Sequence, residues 1–103
     1  MTKIIYDESN NVLEISGHAG AGEPGKDLVC AAVTILMRTL EASVMDNRAR
    51  LCPTVCHKDG YVRIQCNPAP RAKAKSKEIF TTIYRGYELL AQQYPEYVRT
   101  VIY

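Results

Sequence analysis

Apolar and polar positions along the chain divide it into seven elements. Lys3 to Tyr6 is a short β-branched and aromatic run, and Val12 to Ser16 is a second. Asp7-Glu8-Ser9-Asn10-Asn11 between them is turn chemistry, so the pattern predicts an opening β-hairpin. Gly17 to Lys26 follows, with four of the six glycines and one of the five prolines; regular structure is not expected there, and it reads as a mobile loop. From Asp27 the run Leu28-Val29-Cys30-Ala31-Ala32-Val33-Thr34-Ile35-Leu36-Met37 holds one hydroxyl and no charge. Asp27 is a favoured N-cap type, and a helix apolar on every side predicts a buried helix ending near Met45 to Asn47.

Arg50 to His57 and Tyr61 to Asn67 flank Asp59-Gly60, a second hairpin signal. Val62, Ile64 and Cys66 share one face of the latter strand, and Pro53 makes its own strand an edge or bulged one. Pro68 and Pro70 precede a helix from about Lys73 to Gln93. Its stripe is Ile79, Phe80, Ile83, Tyr84, Tyr87, Leu90 and Ala91, with helical spacing. Tyr97 to Tyr103 reads as a last strand. The order ββαββαβ predicts an α+β fold, a mostly antiparallel sheet with two helices packed on one face.

Composition narrows the function classes. The chain has 103 residues, 47% hydrophobic and 23% charged, with a net charge of +2. That is one domain, residues 1–103, too apolar and too weakly charged for disorder. No uninterrupted apolar run approaches the roughly 18–20 residues of a spanning helix, so no membrane association is expected. Acidic Asp7 and Glu8 come before any signal-peptide apolar stretch could form, which points to a cytoplasmic protein. Its four cysteines are then expected to be reduced. A charge of +2 is too weak to argue for nucleic acid.

Cys30 has the most specific chemical setting. With Asp27 as cap it occupies the first turn, where free amides and the positive end of the helix dipole lower thiol pKa values. His18 stands twelve positions earlier, at the start of a loop able to bring it against that helix. Cysteine beside histidine is the minimum for thiol-based acyl transfer, and the helix terminus offers N–H groups for an oxyanion. Spacing alone equally permits a buried Cys30 and a loop histidine without function.

Gly17-His18-Ala19, five further residues, and then Gly25-Lys26-Asp27-Leu28-Val29-Cys30-Ala31-Ala32 closely resemble the signature of the ribosomal-processing cysteine protease family, Prp. That signature is Gly-His-Ala followed by Gly-x-Asp-(Ile or Leu)-Val-Cys-Ala. The resemblance implies a homodimeric α+β protease without cofactor or metal. By it Cys30 is the nucleophile and His18 the general base, with Asp27, Gly17 and Gly25 matching the family's aspartate and loop glycines. Asp27 either caps the helix or also orients His18. The implied substrate is the N-terminal extension of bacterial ribosomal large-subunit protein twenty-seven. Two departures stand out: Thr34, one turn after Cys30, replaces a serine of many members, and Gly20-Ala21-Gly22 lacks an aromatic that some carry. They bear on substrate preference, and a viral or mobile-element relative with another protein substrate is an alternative.

Other clusters carry less. Cys52-Pro53-Thr54-Val55-Cys56-His57 has the wrong spacing for haem attachment and lacks a second ligand pair for zinc. On a strand, Cys52 and Cys56 share a face and His57 points away, a surface residue. Arg71, Lys73, Lys75 and Lys77 open the second long helix, where positive charge opposes the dipole. They read as a solvated helix end, or as the contact surface of a non-catalytic ribosome- or RNA-associated module. A thiol redox sensor is disfavoured, since no resolving cysteine lies near Cys30.

Overall fold

A computed structural model describes residues 1–17 and 26–103, with the backbone alone for 26 and 27. Strands β1 (Thr2–Asp7) and β2 (Val12–Ser16) form the first hairpin, and β3 (Pro53–Lys58) and β4 (Tyr61–Cys66) the second. Helix α1 (Lys26–Asp46) is followed at once by a four-residue helix α2 (Arg48–Leu51). A 3₁₀ turn (Pro70–Ala72) leads into α3 (Lys73–Gln93), and β5 (Val98–Ile102) closes the chain. Strand order is β3-β4-β2-β1-β5. Every pairing is antiparallel except β1 with β5. The α+β architecture expected from the sequence is the one observed, and Pro53 does lie on an edge strand.

The register places Ile4 opposite Ile15, Tyr6 opposite Leu13, Leu13 opposite Ile64 and Ile15 opposite Val62. With a side-chain period of two, these residues share the face covered by the helices. Phe80, Ile83, Tyr84 and Tyr87 of α3 are buried against it, as the helical spacing predicts. Tyr6 stacks on Phe80 with centroids 6.1 Å apart and meets Tyr84 at 5.3 Å. Such pairs add to the burial term. The Tyr87 hydroxyl donates to the Val33 carbonyl at 2.8 Å, so α3 holds α1 by a buried polar tie. Gly86 lets the two helices approach closely: a Cβ there would sit 2.8 Å from the Leu36 side chain. Ser76 is fully buried and donates to Asn11 Oδ1 at 3.0 Å, which satisfies a hydroxyl otherwise costly to bury.

Three expectations are corrected. Helix α1 is not buried all round. Val29, Val33, Leu40 and Val44 form its buried stripe, whereas Leu28 and Ile35 are 70% and 62% exposed. A helix on the outside of a two-layer fold has only the sheet and its neighbour to cover it, whatever its composition. The segment Leu28–Asp46, 19 residues with mean hydropathy 1.7, is by length and composition apolar enough to cross a membrane. Counting uninterrupted apolar residues hid this, because Arg38 breaks the run; in the fold the segment packs its one stripe into the core.

The expected strand from Arg50 begins only at Pro53. Arg48 to Leu51 turn helically, and Cys52 reverses the chain at φ 47° with its N–H on the Arg48 carbonyl at 2.9 Å. Leu51 is fully buried and anchors the turn. Cys52 therefore lies off the strand and shares no strand face with Cys56. Finally, α1 begins at Lys26, so Asp27 stands inside the first turn instead of capping it, and Cys30 is the fifth helical residue.

Gly17 closes β2 at φ +93°, and a Cβ there would run into the Met1 carbonyl oxygen. Gly17→Ala should lower the unfolding free energy by roughly 1–3 kcal/mol, read from urea denaturation. Tyr87→Phe should cost about 1 kcal/mol by losing the Val33 bond. Tyr87→Ala should cost about 3–5 kcal/mol through the cavity it leaves.

Candidate active site

The first turn of α1 stands over one end of the sheet, and the two hairpins supply the facing wall. Ser16 is opposite Tyr61 in the β2–β4 register. The Gly17 N–H donates to the Gly60 carbonyl at 2.9 Å. That bond fixes the end of β2 against the β3–β4 turn. The result is a cleft of about 290 Å³ whose wall includes Gly17, Cys30, Thr34, Lys58, Gly60 and Tyr61. Thr2, Ile15, Val33, Met37 and Val62 also line it.

Cys30 is exposed, so the reading in which it is a buried small hydrophobe does not hold. Thr34 lies one turn further along the same cleft wall, as its spacing predicts. Gly17 lines the cleft, and its neighbour His18 lies outside the described residues. So do Gly25, the side chain of Asp27 and the glycine-rich segment expected to be a mobile loop. Cys30, Thr34 and Gly17 are thus brought together.

The remaining cysteines differ in kind. Cys66 is 2% exposed, and burial followed by the neighbouring Cys52 pushes its thiol up to about 11. Cys56 is half-buried on β3, opposite Arg63, and Cys52 is exposed beside the α2 turn. Among the described residues no three of His, Cys, Asp and Glu converge as a metal ion would require. His57 is on the surface, its Nε2 2.7 Å from Glu41 Oε1.

Three residues of the cleft escaped the sequence reading. Lys58, Gly60 and Tyr61 form the β3–β4 turn, recognised as a hairpin but not as a wall of the site. Their signal lies in the β2–β4 register, which neither hairpin contains by itself. Lys58 is the one charged side chain among the cleft-lining residues described. The Tyr61 phenol is held above its ordinary value, first by lost solvent and then by the Glu14 carboxylate. It therefore stays neutral across the physiological range, its hydroxyl engaged by Glu14.

Chemically, the arrangement offers an accessible thiol near the positive end of a 21-residue helix. The cleft beside it has hydroxyl, ammonium and backbone donors, and is open enough for an extended chain. No curated protein matches the sequence. Among solved structures, the fold is similar to an essential ribosomal processing protease Prp from S. aureus in complex with a covalently linked product peptide. There the TM-score is 0.81 at 19% identity, with both chains covered completely. The same S. aureus protease in complex with a substrate peptide gives 0.76 at 18% identity, covering 99% of this chain and 97% of that one. SMU.848 from Streptococcus mutans gives 0.71 at 28% identity, covering 98% and 90%. At these identities the S. aureus structures speak for the fold. The model of cysteine protease Prp matches residues 1–99, nearly the whole chain, and the protein belongs to that family.

Proposed function

We propose that this protein is a thiol endopeptidase that removes the N-terminal extension of bacterial ribosomal large-subunit protein twenty-seven. Cys30 is the nucleophile and His18 the base. The observation that carries the reading is the exposure of Cys30 on the wall of an open cleft, in a member of a cysteine protease family. The peptide complexes of the S. aureus protease support a peptide as occupant of that cleft.

In the mechanism, His18 takes the Cys30 proton and the thiolate attacks the scissile carbonyl carbon. The oxyanion that forms is stabilised at the positive end of α1. His18 then gives its proton to the leaving amine as the C–N bond breaks. Water, deprotonated by His18, attacks the thioester and releases the new carboxylate and the thiol. Thr34 is placed to bind the peptide backbone, and Lys58 to favour an acidic side chain near the cut. Asp27, within the first turn, adds negative charge where the helix favours it and is close enough in sequence to orient His18.

The protein works as a homodimer in the cytoplasm. The uncovered α1 face of Leu28, Ala31, Ile35 and Ala42 supports pairing of two copies, and four unpaired thiols support a reducing compartment. A viral or mobile-element relative would keep the same chemistry with another protein substrate.

A peptide spanning the host's own ribosomal-protein N-terminus should be cut once, as read by mass spectrometry. Cys30→Ala should lower turnover by roughly 10³-fold or more; retained cleavage would end the assignment. Alkylation at neutral pH should reach Cys30 first and Cys66 last. The Cys66 thiol stays protonated until pH approaches 11, so its labelling should rise only with strong alkali or unfolding. Cys52 is exposed, as Cys30 is. A Cys30 rate well above that of Cys52 therefore reports a more populated thiolate, and equal rates would count against an activated Cys30.

A further inference from the structure

The basic residues at the start of α3 have no part in the cleft, and the fold divides them. Lys77 turns to Glu8, with Nζ 3.1 Å from Oε1. Arg71 and Lys75 instead join Arg50 of α2, from before the second hairpin, around a cavity of about 610 Å³. Its remaining lining among the described residues is Ala69, Pro70 and Ala72, none of them a carboxylate. Glu78, the nearest acidic residue along α3, lines a different hollow with Lys77. The three cations come from three elements held together by the backbone: the Ala69 N–H donates to the Arg50 carbonyl at 2.8 Å. The α3 N-terminus adjoins the cavity without a side-chain cap and without an acidic residue in its first turn, which leaves the positive end of a 21-residue helix uncompensated.

We infer that this cavity binds the phosphate backbone of RNA. Two guanidinium forks and an ammonium suit tetrahedral phosphate oxygens better than a lone carboxylate. The cavity is also about twice the size of the thiol cleft, enough for a phosphate with its sugar against the Pro70 and Ala69 floor. It lies at the far end of β4 from that cleft. Gly60 and Tyr61 mark one end of the strand and the segment after Cys66 the other, roughly 20 Å apart. A chain held in the cleft and RNA held here do not compete. Phosphate recognition stands on the cations alone, whereas the choice of RNA rests on the proposed ribosomal substrate.

The test is fluorescence anisotropy with a labelled single-stranded RNA of about 20 nucleotides, long enough to present several phosphates. It uses the Cys30→Ala protein, so that binding is read without turnover and independently of the protease assignment. The triple variant Arg50→Gln/Arg71→Gln/Lys75→Gln should bind at least about tenfold more weakly near 0.1 M salt. Its log–log salt slope should be smaller by about 2, three phosphate contacts at about 0.7 each. All three side chains are exposed, so the melting transition should stay in place. Lys77→Gln should leave RNA affinity within about twofold, since its amine is engaged by Glu8. Unchanged RNA binding by the triple variant would overturn the inference. So would binding of a poly-glutamate peptide, in place of RNA, that depends on the same three cations.

Discussion

Five residues of β2 pair with five of β4, from Val12 opposite Gln65 to Ser16 opposite Tyr61. This ladder joins two hairpins that are separate in sequence and makes both strands interior ones. It also sets Leu13 and Ile15 beside Ile64 and Val62 on the helix-covered face. A slip of one residue would turn those side chains to the opposite face, because the strand period is two. The same slip would draw Gly17 away from the Gly60 carbonyl and open the cleft wall. Core and cleft therefore share one constraint. Edge strand β3 adds little to it beyond carrying the turn, and the parallel β1–β5 ladder closes the other edge.

Helix α1 serves three surfaces at once, and at about 100° per residue they fall in separate sectors. Val29, Val33, Leu40 and Val44 enter the core. Cys30 and Thr34 lie roughly a quarter-turn away, on the cleft. Leu28, Ala31 and Ile35 face outward. A rotation of the helix would trade one surface against another, so what fixes its angle also fixes the thiol. The Tyr87 hydroxyl on the Val33 carbonyl is one such restraint. The contact of Leu36 with Gly86 is another: the glycine leaves a notch that only one orientation of α1 fills.

Much of this was legible in the amino-acid sequence, for identifiable reasons. The α3 stripe from Ile79 to Ala91 and the bounds Lys73–Gln93 follow from helical periodicity and the flanking prolines. The hairpins follow from turn residues and from the β-branched runs beside them. What was not legible depends on contacts between distant segments. Nothing local marks α2: Arg50 and Leu51 read as strand because the buried seat of Leu51 is a tertiary fact. Composition made α1 look buried because apolar content does not report how many layers surround a helix. In the site, identity and spacing singled out Cys30 and Thr34. Lys58 and Tyr61 needed the β2–β4 register, and Arg50 joined Arg71 and Lys75 only when α2 was known to fold back on the segment after β4.

The four cysteines show how far environment separates one side chain from another. Cys66 is shut in the core, where desolvation keeps the thiol protonated to about pH 11. It is the least accessible of the four thiols. Cys56 is half-buried on an edge strand. Cys52 is open to solvent but closes α2, a four-residue helix with little dipole, and its carbonyl accepts the Asn67 N–H at 3.3 Å. Its surroundings at the base of β3 are those of a structural turn. Cys30 alone combines exposure, a cleft and the start of a long helix. Under the proposed mechanism the helix end lowers the cost of the oxyanion that follows attack. A nucleophile at this position is therefore served by the backbone that also seats it, and no other thiol in the chain stands in the opening turns of a long helix.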